Sequence, residues 1–278
     1  MIQINNKFAK PKLQLSNGYF VNLKHLSLIL NTICLDQRGR IPRIDLAEKV
    51  GFAERQVKQI CSIGQAFGLI EQITYKPTQL GRLIQSYDPF FDDIGTLWFL
   101  HYIISSNPHN LIWHRMVTQI LPIHRSVTRE QARSAFDDLR KTLTEYSSQK
   151  HVLQELNTVL DAYINQQFAR ISYLYLNEDT YILGVGEPIP PLVLGACIVC
   201  FRDRHRSYDT AISVEDLLNT PVGPGVILQL DERHLRAKLE LLKMQPGLSL
   251  ESRADLDQIR LVDNQPDYMW MERYYVNK

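Results

Sequence analysis

The stretch IDLAEKVGFAERQVKQICSIGQAFGLIEQITYKPTQLGRLIQ, from Ile44 to Gln85, decides the fold. It divides into a short helix, a tight turn at Gly51, a second helix and a segment with the composition of a β wing. In the second helix, apolar residues recur at the spacing of one buried helix face. They are Val57, Ile60, Cys61, Gly64 and Phe67. This order of elements predicts an N-terminal winged helix-turn-helix.

The segments on either side of the two helices fit the same pattern. Apolar residues between Leu23 and Ile33 predict a first helix that packs across the pair. The run from Leu69 to Tyr75 predicts the first wing strand, which Pro77 would end. Ala53 stands where Ser or Thr normally caps a recognition helix, so the start of that helix is defined only to within a residue or two.

The remaining face of the second helix is polar. Its long side chains have the chemistry that forks onto base edges or neutralises phosphates. The predicted DNA-binding residues are Arg43, Arg55, Gln56, Lys58, Gln59, Ser62, Gln65 and Lys76. Winged helices also serve as docking or dimerisation modules without nucleic acid, because a fold does not fix a function. A protein-interaction adaptor therefore stays open as an alternative.

Charge is distributed unevenly along the chain. The whole sequence carries a net charge of +1, but residues 1–82 hold twelve Lys and Arg against five Asp and Glu, a net +7. The rest of the chain is correspondingly at −6. Such asymmetry is typical of a nucleic-acid-binding head on an acidic body, although a solvated surface can also produce it.

Length and composition indicate an ordinary globular protein. With 278 residues and 45% hydrophobic content the chain can bury a substantial core, divided among two or three modules. The longest nearly apolar run, Ile189 to Phe201, is too short to span a bilayer and predicts a buried helix. No signal peptide precedes Lys7, so we expect a cytoplasmic protein without a membrane partner.

Signatures of metal binding and catalysis are weak. Cys34 and Cys61 fall on apolar helix faces, and the pair Cys197 and Cys200 lacks the second pair that a zinc site needs. The sequence has no phosphate-binding GxxxxGK[ST] loop, no HExxH and no GxSxG. We therefore expect no metal, no cofactor and no enzymatic activity.

Beyond the head, the sequence predicts a mainly α protein with small β wings. We predict three parts: a winged helix-turn-helix at 1–87, a helical scaffold at 88–172 and an α+β module at 173–278. In the scaffold, one helix runs from Leu111 to Ile120 and stops before Pro122, and another runs from Thr128 to Glu145. Gln131 stands at the capping-box position of the second helix.

The C-terminal module has the pattern of a second winged helix. Ser213 and Asp231 are predicted to cap two helices, and two strands follow at 248–252 and 258–262. Basic side chains of this module suggest a second nucleic-acid contact, though those that end a helix also complement the helix dipole. They are Arg202, Arg204, Arg206, Arg233 and Arg236.

The segment LGRLIQSYDPFFDDIGTLWFLHYIISSNPHNLIWHRM resembles the bacterial family of uncharacterised proteins known as DUF4007. The matching landmarks are Gly81, Asp88, Pro89, Phe90, Asp93, Thr96, Leu97, Trp98, Leu100, His101 and Trp113. Upstream, Ala66 to Leu69 is similar to the end of the family's recognition helix. The family often has Gly-Lys-Asn in the preceding turn, where this chain has Phe52 to Arg55.

The resemblance covers about the first 115 residues and implies a genomic setting. Members of this family have no established activity. They are similar in genomic setting to proteins found beside DNA-modification and phage-defence genes, including those with phosphorothioation-type sulfur enzymes. The combined hypothesis is a non-enzymatic component of such a system, with double-stranded DNA and other subunits of a defence or DNA-modification complex as its partners. The adaptor and a transcriptional repressor are the alternatives.

Overall fold

The computed structural model describes residues 12–15, 17–36, 41–143, 146–206, 209–253, 256–262 and 265–278. This described part is mainly helical, with two small antiparallel sheets. Four of the basic residues counted in the head, Lys7, Lys10, Arg38 and Arg40, lie outside the described residues. In the described part, no helix combines the length and apolar character needed to cross a membrane.

The first three helices of the head are α1 (Leu23–Leu35), α2 (Arg43–Val50) and α3 (Glu54–Ala66). Gly51 ends α2 in the left-handed region at φ 70°, which glycine adopts without strain. Ala53 occupies the cap position of α3 and makes no side-chain capping bond. Gly64 lets α3 approach its neighbours, because a Cβ there would lie 2.7 Å from Ile70 Cδ1.

The predicted wing strand from Leu69 to Tyr75 is wrong. A single antiparallel bridge joins Ile70 to Pro77, and a turn lies between them. Two features stop the ladder from growing: Tyr75 is left-handed at φ 56°, and Pro77 has no N–H to donate. The chain then enters α4 (Gln79–Tyr87), which Thr78 caps.

The scaffold is built around α5 (Ile94–Ser105), which is buried on all sides from Gly95 onward. After it come α6 (Leu111–Arg115), a π-helical turn at Met116–Ile120 and α7 (Leu121–His124). The helix that was predicted to stop before Pro122 therefore continues past it. Pro122 falls in the first turn of α7, where a missing N–H is tolerated.

The first sheet connects the scaffold to the C-terminal half. Its strands are β1 (Ser126–Thr128), β2 (Leu174–Asn177) and β3 (Thr180–Leu183), in the order β1-β3-β2. Ser126 pairs with Ile182, so the sheet spans the predicted boundary at residue 172. The boundaries themselves stay a prediction.

The helices between β1 and β2 differ from the sequence-based prediction in length. They are α8 (Arg129–Ser134), α9 (Asp137–Thr142), α10 (Tyr146–Ile164) and a short 3-10 segment at Gln167–Ile171. The capping box of Thr128 and Gln131 is confirmed. The single helix predicted from Thr128 to Glu145 is wrong, because it is interrupted at Phe136, whose buried ring lies between α8 and α9 along the chain.

The C-terminal half begins with α11 (Pro191–His205) and β4 (Ala211–Ser213), followed by α12 (Val214–Asn219), α13 (Pro224–Ile227) and α14 (Glu232–Leu242). A hairpin of β5 (Leu248–Arg253) and β6 (Leu256–Leu261) precedes α15 (Asp267–Val276). The sheet order is β4-β6-β5. The caps predicted at Ser213 and Asp231 and the predicted strand pair are confirmed.

Candidate nucleic-acid interface

The outward side of α3 carries two neighbouring cationic side chains. Arg55 and Lys58 are both exposed and lie three residues apart, on the same side of the helix about one turn from each other. Within the described part of the chain, neither side chain forms an ion pair. Gln56 and Ser62, also predicted contacts, are half-buried beside them. Two uncompensated cations on one helix face can neutralise phosphates.

Gln59 was predicted on this polar face, and the structure places it in the interior. Only 4% of its surface is exposed. The buried sector of α3 is wider than one apolar stripe, because Val57, Ile60 and Ile63 are all buried with it. The side chain of Gln59 is therefore removed from the surface that Arg55 and Lys58 present.

Two further predicted contacts bind other parts of the protein. Arg43 forms an ion pair with Glu54 at 2.5 Å, which links the start of α2 to the start of α3. Its pKa is raised by the hydrogen bond to the Glu54 carboxylate. The Gln65 amide donates to the carbonyl oxygens of Glu71 and Gln72 at 3.3 and 3.1 Å, so it fixes the turn after α3. Lys76 lies at the end of this turn and is half-buried.

The basic cluster at the end of α11 is engaged within the protein. Arg202 is buried and pairs with Asp203 at 2.7 Å. Arg204 donates to the Ile103 carbonyl at 2.9 Å and to Ser106 Oγ at 3.0 Å. These bonds join the C-terminal ends of α11 and α5.

The other predicted second-site residues are Arg206, which directly follows α11, and Arg233 and Arg236 on α14. Arg206 pairs with Asp216 at 3.0 Å. Arg236 bonds to both carboxylate oxygens of Asp257 and also to Glu232, which anchors the β5–β6 hairpin to α14. Arg233 alone among the five predicted arginines is exposed and makes neither an ion pair nor a side-chain hydrogen bond with the described residues. The structure thus leaves Arg233 as the accessible cation of this set.

The buried histidine of the scaffold has a structural environment. His101 Nδ1 lies 2.6 Å from the Tyr163 hydroxyl, and Nε2 lies 3.0 Å from the Ile227 carbonyl oxygen. Burial lowers the pKa of His101 to about 4, so the ring is neutral at neutral pH. Across the described ranges, no three His, Cys, Asp or Glu side chains gather closely enough to share a metal ion.

Sequence reasoning did not single out a cleft lined by Arg125, Tyr173 and Gln229. Its volume is about 440 Å³. These residues are far apart in the chain and match no motif, so only the tertiary structure brings them together.

Taken together, fold and surface define a mainly helical protein with two small sheets and a cationic helix face in its N-terminal head. The chain belongs to the family described as "Protein of unknown function (DUF4007)", whose model matches residues 56–275. No curated protein matches it significantly.

Two solved structures share the fold. A magnesium ion-bound crystal structure of SspB has a TM-score of 0.76 at 13% sequence identity, covering 96% of this chain and 91% of that chain. A second SspB crystal structure has a TM-score of 0.71 at 14% identity, covering 93% and 89%. At these identities the likeness establishes the fold alone.

Proposed function

We propose that this protein is a non-enzymatic DNA-binding component of a bacterial phage-defence or DNA-modification system. The observation that carries the proposal is the pair Arg55 and Lys58, exposed and uncompensated on the outward face of α3. A helix that follows a tight turn and presents such a face suits insertion into a DNA groove. The defence setting comes from the genomic setting that the family resemblance implies, and the likeness to SspB supports the shared fold.

In this proposal the head is a helix-turn-helix with a reduced wing. Helices α1 to α3 supply the three-helix core, and the turn fixed by Gln65 takes the place of the wing. The C-terminal elements α11, β4, α12, α14, β5 and β6 follow the order of a winged helix, with the short helix α13 inserted between α12 and α14. The pairing of β4 with β6 supports that interpretation.

Salt dependence and a charge-matched control test DNA binding. We would measure gel shifts of the full chain on random duplex DNA at about 50 and 200 mM salt, where about four phosphate contacts predict a loss of roughly two decades in affinity. The double variant Arg55→Ala with Lys58→Ala should remove most binding. The control, Arg133→Ala with Lys141→Ala, changes the same charge on exposed positions of α8 and α9 and should bind like the parent.

The same proteins test the absence of catalysis. The parent is incubated with supercoiled plasmid and magnesium ion, because a protein of this fold has been crystallised with that ion. We expect the plasmid to stay supercoiled. Nicked or linear plasmid would contradict the non-enzymatic proposal if the activity that forms it stays with the protein through purification and is lost in the Arg55→Ala with Lys58→Ala variant.

A docking function has one observation in its favour. Ile73, in the turn after α3, is 83% exposed, and Ile44 at the start of α2 is 59% exposed. Exposed apolar side chains beside a helix face also suit a protein partner. Absence of duplex binding by the parent at low salt would favour this adaptor over the DNA reader.

A further inference from the structure

A cleft separates the first sheet from the connection between α13 and α14. Its volume is about 440 Å³, and its lining includes Arg125, Tyr173, Leu183, Val226 and Gln229. A neighbouring hollow of about 390 Å³ shares Arg125 and Gln229 with it. These volumes fall in the range of small-molecule sites, and clefts between structural units are common places for them.

Two buried polar groups of the lining have no hydrogen-bond partner within the described part of the chain. They are the Tyr173 hydroxyl and Gln229 Nε2. Tyr173 is fully buried, with its ring centroid 4.4 Å from that of His101. Burial raises the pKa of Tyr173, so its hydroxyl keeps the proton and can donate it to a hydrogen bond. Buried polar groups are nearly always bonded, so two exceptions in one cleft need an explanation.

The backbone at the cleft is strained at two non-glycine residues. Arg125 has φ 53° and Gln229 has φ 54°, both in the left-handed region. The Arg125 carbonyl accepts the Leu183 N–H at 2.8 Å, and the Leu230 N–H bonds to the Gly225 carbonyl at 2.8 Å. These bonds hold both strained residues at the lining. Strain of this kind is characteristic of ligand sites.

The chemistry of the lining selects an anion with an apolar part. The Arg125 side chain is exposed and forms no ion pair with the described residues, so it adds a charged donor to the two buried ones. Leu183, Leu218, Val226 and Leu230 form apolar walls. At the mouth, the Asp231 carboxylate lies 2.7 Å from His234 Nδ1, and the Arg236 guanidinium offsets the negative charge of Glu232.

We propose that this cleft binds a nucleotide, with its phosphate on Arg125, Tyr173 and Gln229 and its base against the apolar walls. The nucleotide is either free or the terminal residue of a DNA strand, since both present the same chemistry. The site is separate from α3 and does not depend on duplex binding there.

Calorimetry on the full chain tests the proposal with defined probes. They are deoxyadenosine 5′-monophosphate, thymidine 5′-monophosphate, deoxyadenosine, inorganic phosphate and a 5′-phosphorylated single-stranded oligonucleotide. We expect a monophosphate to bind more tightly than deoxyadenosine or inorganic phosphate. Binding of the phosphorylated oligonucleotide alone would identify the strand end as the source. The proposal is overturned if neither the monophosphates nor the phosphorylated oligonucleotide bind. It is also overturned if deoxyadenosine and its monophosphate bind equally tightly.

Two variants assign the contacts. Tyr173→Phe removes only the hydroxyl and should weaken binding about tenfold, while the melting temperature of the ligand-free protein stays the same or rises. Gln229→Glu replaces a donor with a negative charge and should weaken binding further. The control Tyr175→Phe removes an exposed hydroxyl on β2 and should leave binding unchanged. Unchanged affinity in Tyr173→Phe would overturn the assignment.

The α3 variant distinguishes nucleotide binding in the cleft from duplex DNA binding by α3. The Arg55→Ala with Lys58→Ala protein should bind the monophosphate like the parent even where duplex binding is lost. A parallel loss of both activities in this folded variant would contradict a separate site.

Discussion

The Tyr163 hydroxyl donates to His101 Nδ1 at 2.6 Å and accepts from Trp113 Nε1 at 2.9 Å. Because His101 Nε2 then carries the proton, it donates to the Ile227 carbonyl. This chain of bonds joins α5, α6, α10 and α13 through the centre of the molecule. His101 is thus a structural connector between the scaffold and the C-terminal half.

Removing this connector should destabilise the fold. His101→Leu leaves the Tyr163 hydroxyl and the Ile227 carbonyl without their partner, so we expect a loss of about 2–4 kcal/mol in unfolding free energy. His101→Gln can keep one of the two bonds and should lose less. Denaturant titration measures both, with His124→Leu on exposed α7 as the control. A folded His101→Gln protein of parental stability that fails in a phage-protection assay would contradict the structural role.

The same histidine predicts a dependence of stability on pH. Its pKa is lowered from 6.5 to about 4 by burial, so the unfolded chain binds the proton more readily than the folded one. Stability is therefore fully present above pH 6.5 and is lost as the pH falls toward 4. Between about pH 7.5 and 5 this amounts to about 2 kcal/mol. His101→Gln should show a correspondingly smaller loss than the parent, and an identical pH profile would refute the assignment.

Gly81 packs so closely against the backbone after α3 that a larger residue at this position should destabilise the protein. A Cβ at this position would lie 2.2 Å from the Leu69 carbonyl oxygen, which accepts the Thr78 N–H at 3.0 Å. Gly81→Ala should therefore displace backbone and destabilise the protein by about 1–3 kcal/mol, as overpacking does. Thermal melting provides the measurement. Ser86→Ala, on an exposed part of the same helix, should change little.

Truncation of the Trp98 side chain should destabilise the protein without a selective loss of DNA binding. It is 1% exposed, and its Nε1 donates to the Glu187 carbonyl at 3.1 Å. Trp98→Ala should lower the unfolding free energy by about 3–5 kcal/mol. Trp98→Phe keeps part of the ring volume and should lose less. Gel shifts at a temperature where both variants are folded should match the parent, and a selective binding defect would count against a scaffold role.

Local chemistry was readable from the sequence, whereas long-range placement was not. The caps at Thr128, Ser213 and Asp231 depend on residues three positions away, and the sequence predicted each of them. Burial of Gln59 depends on how wide a sector of α3 its neighbours cover, which periodicity along one helix does not reveal. The proposed nucleotide cleft is still less visible, because Arg125, Tyr173 and Gln229 meet only after three separate elements assemble.

The pairing of Ser126 with Ile182 also determines when the first sheet can form during synthesis of the chain. Strand β1 leaves the ribosome about fifty residues ahead of β3, the strand on which its backbone hydrogen bonds depend. Until β3 emerges, β1 has an open edge while α10 can already form through local contacts. The first sheet therefore closes late, and a translational pause within this interval would prolong exposure of that edge to aggregation.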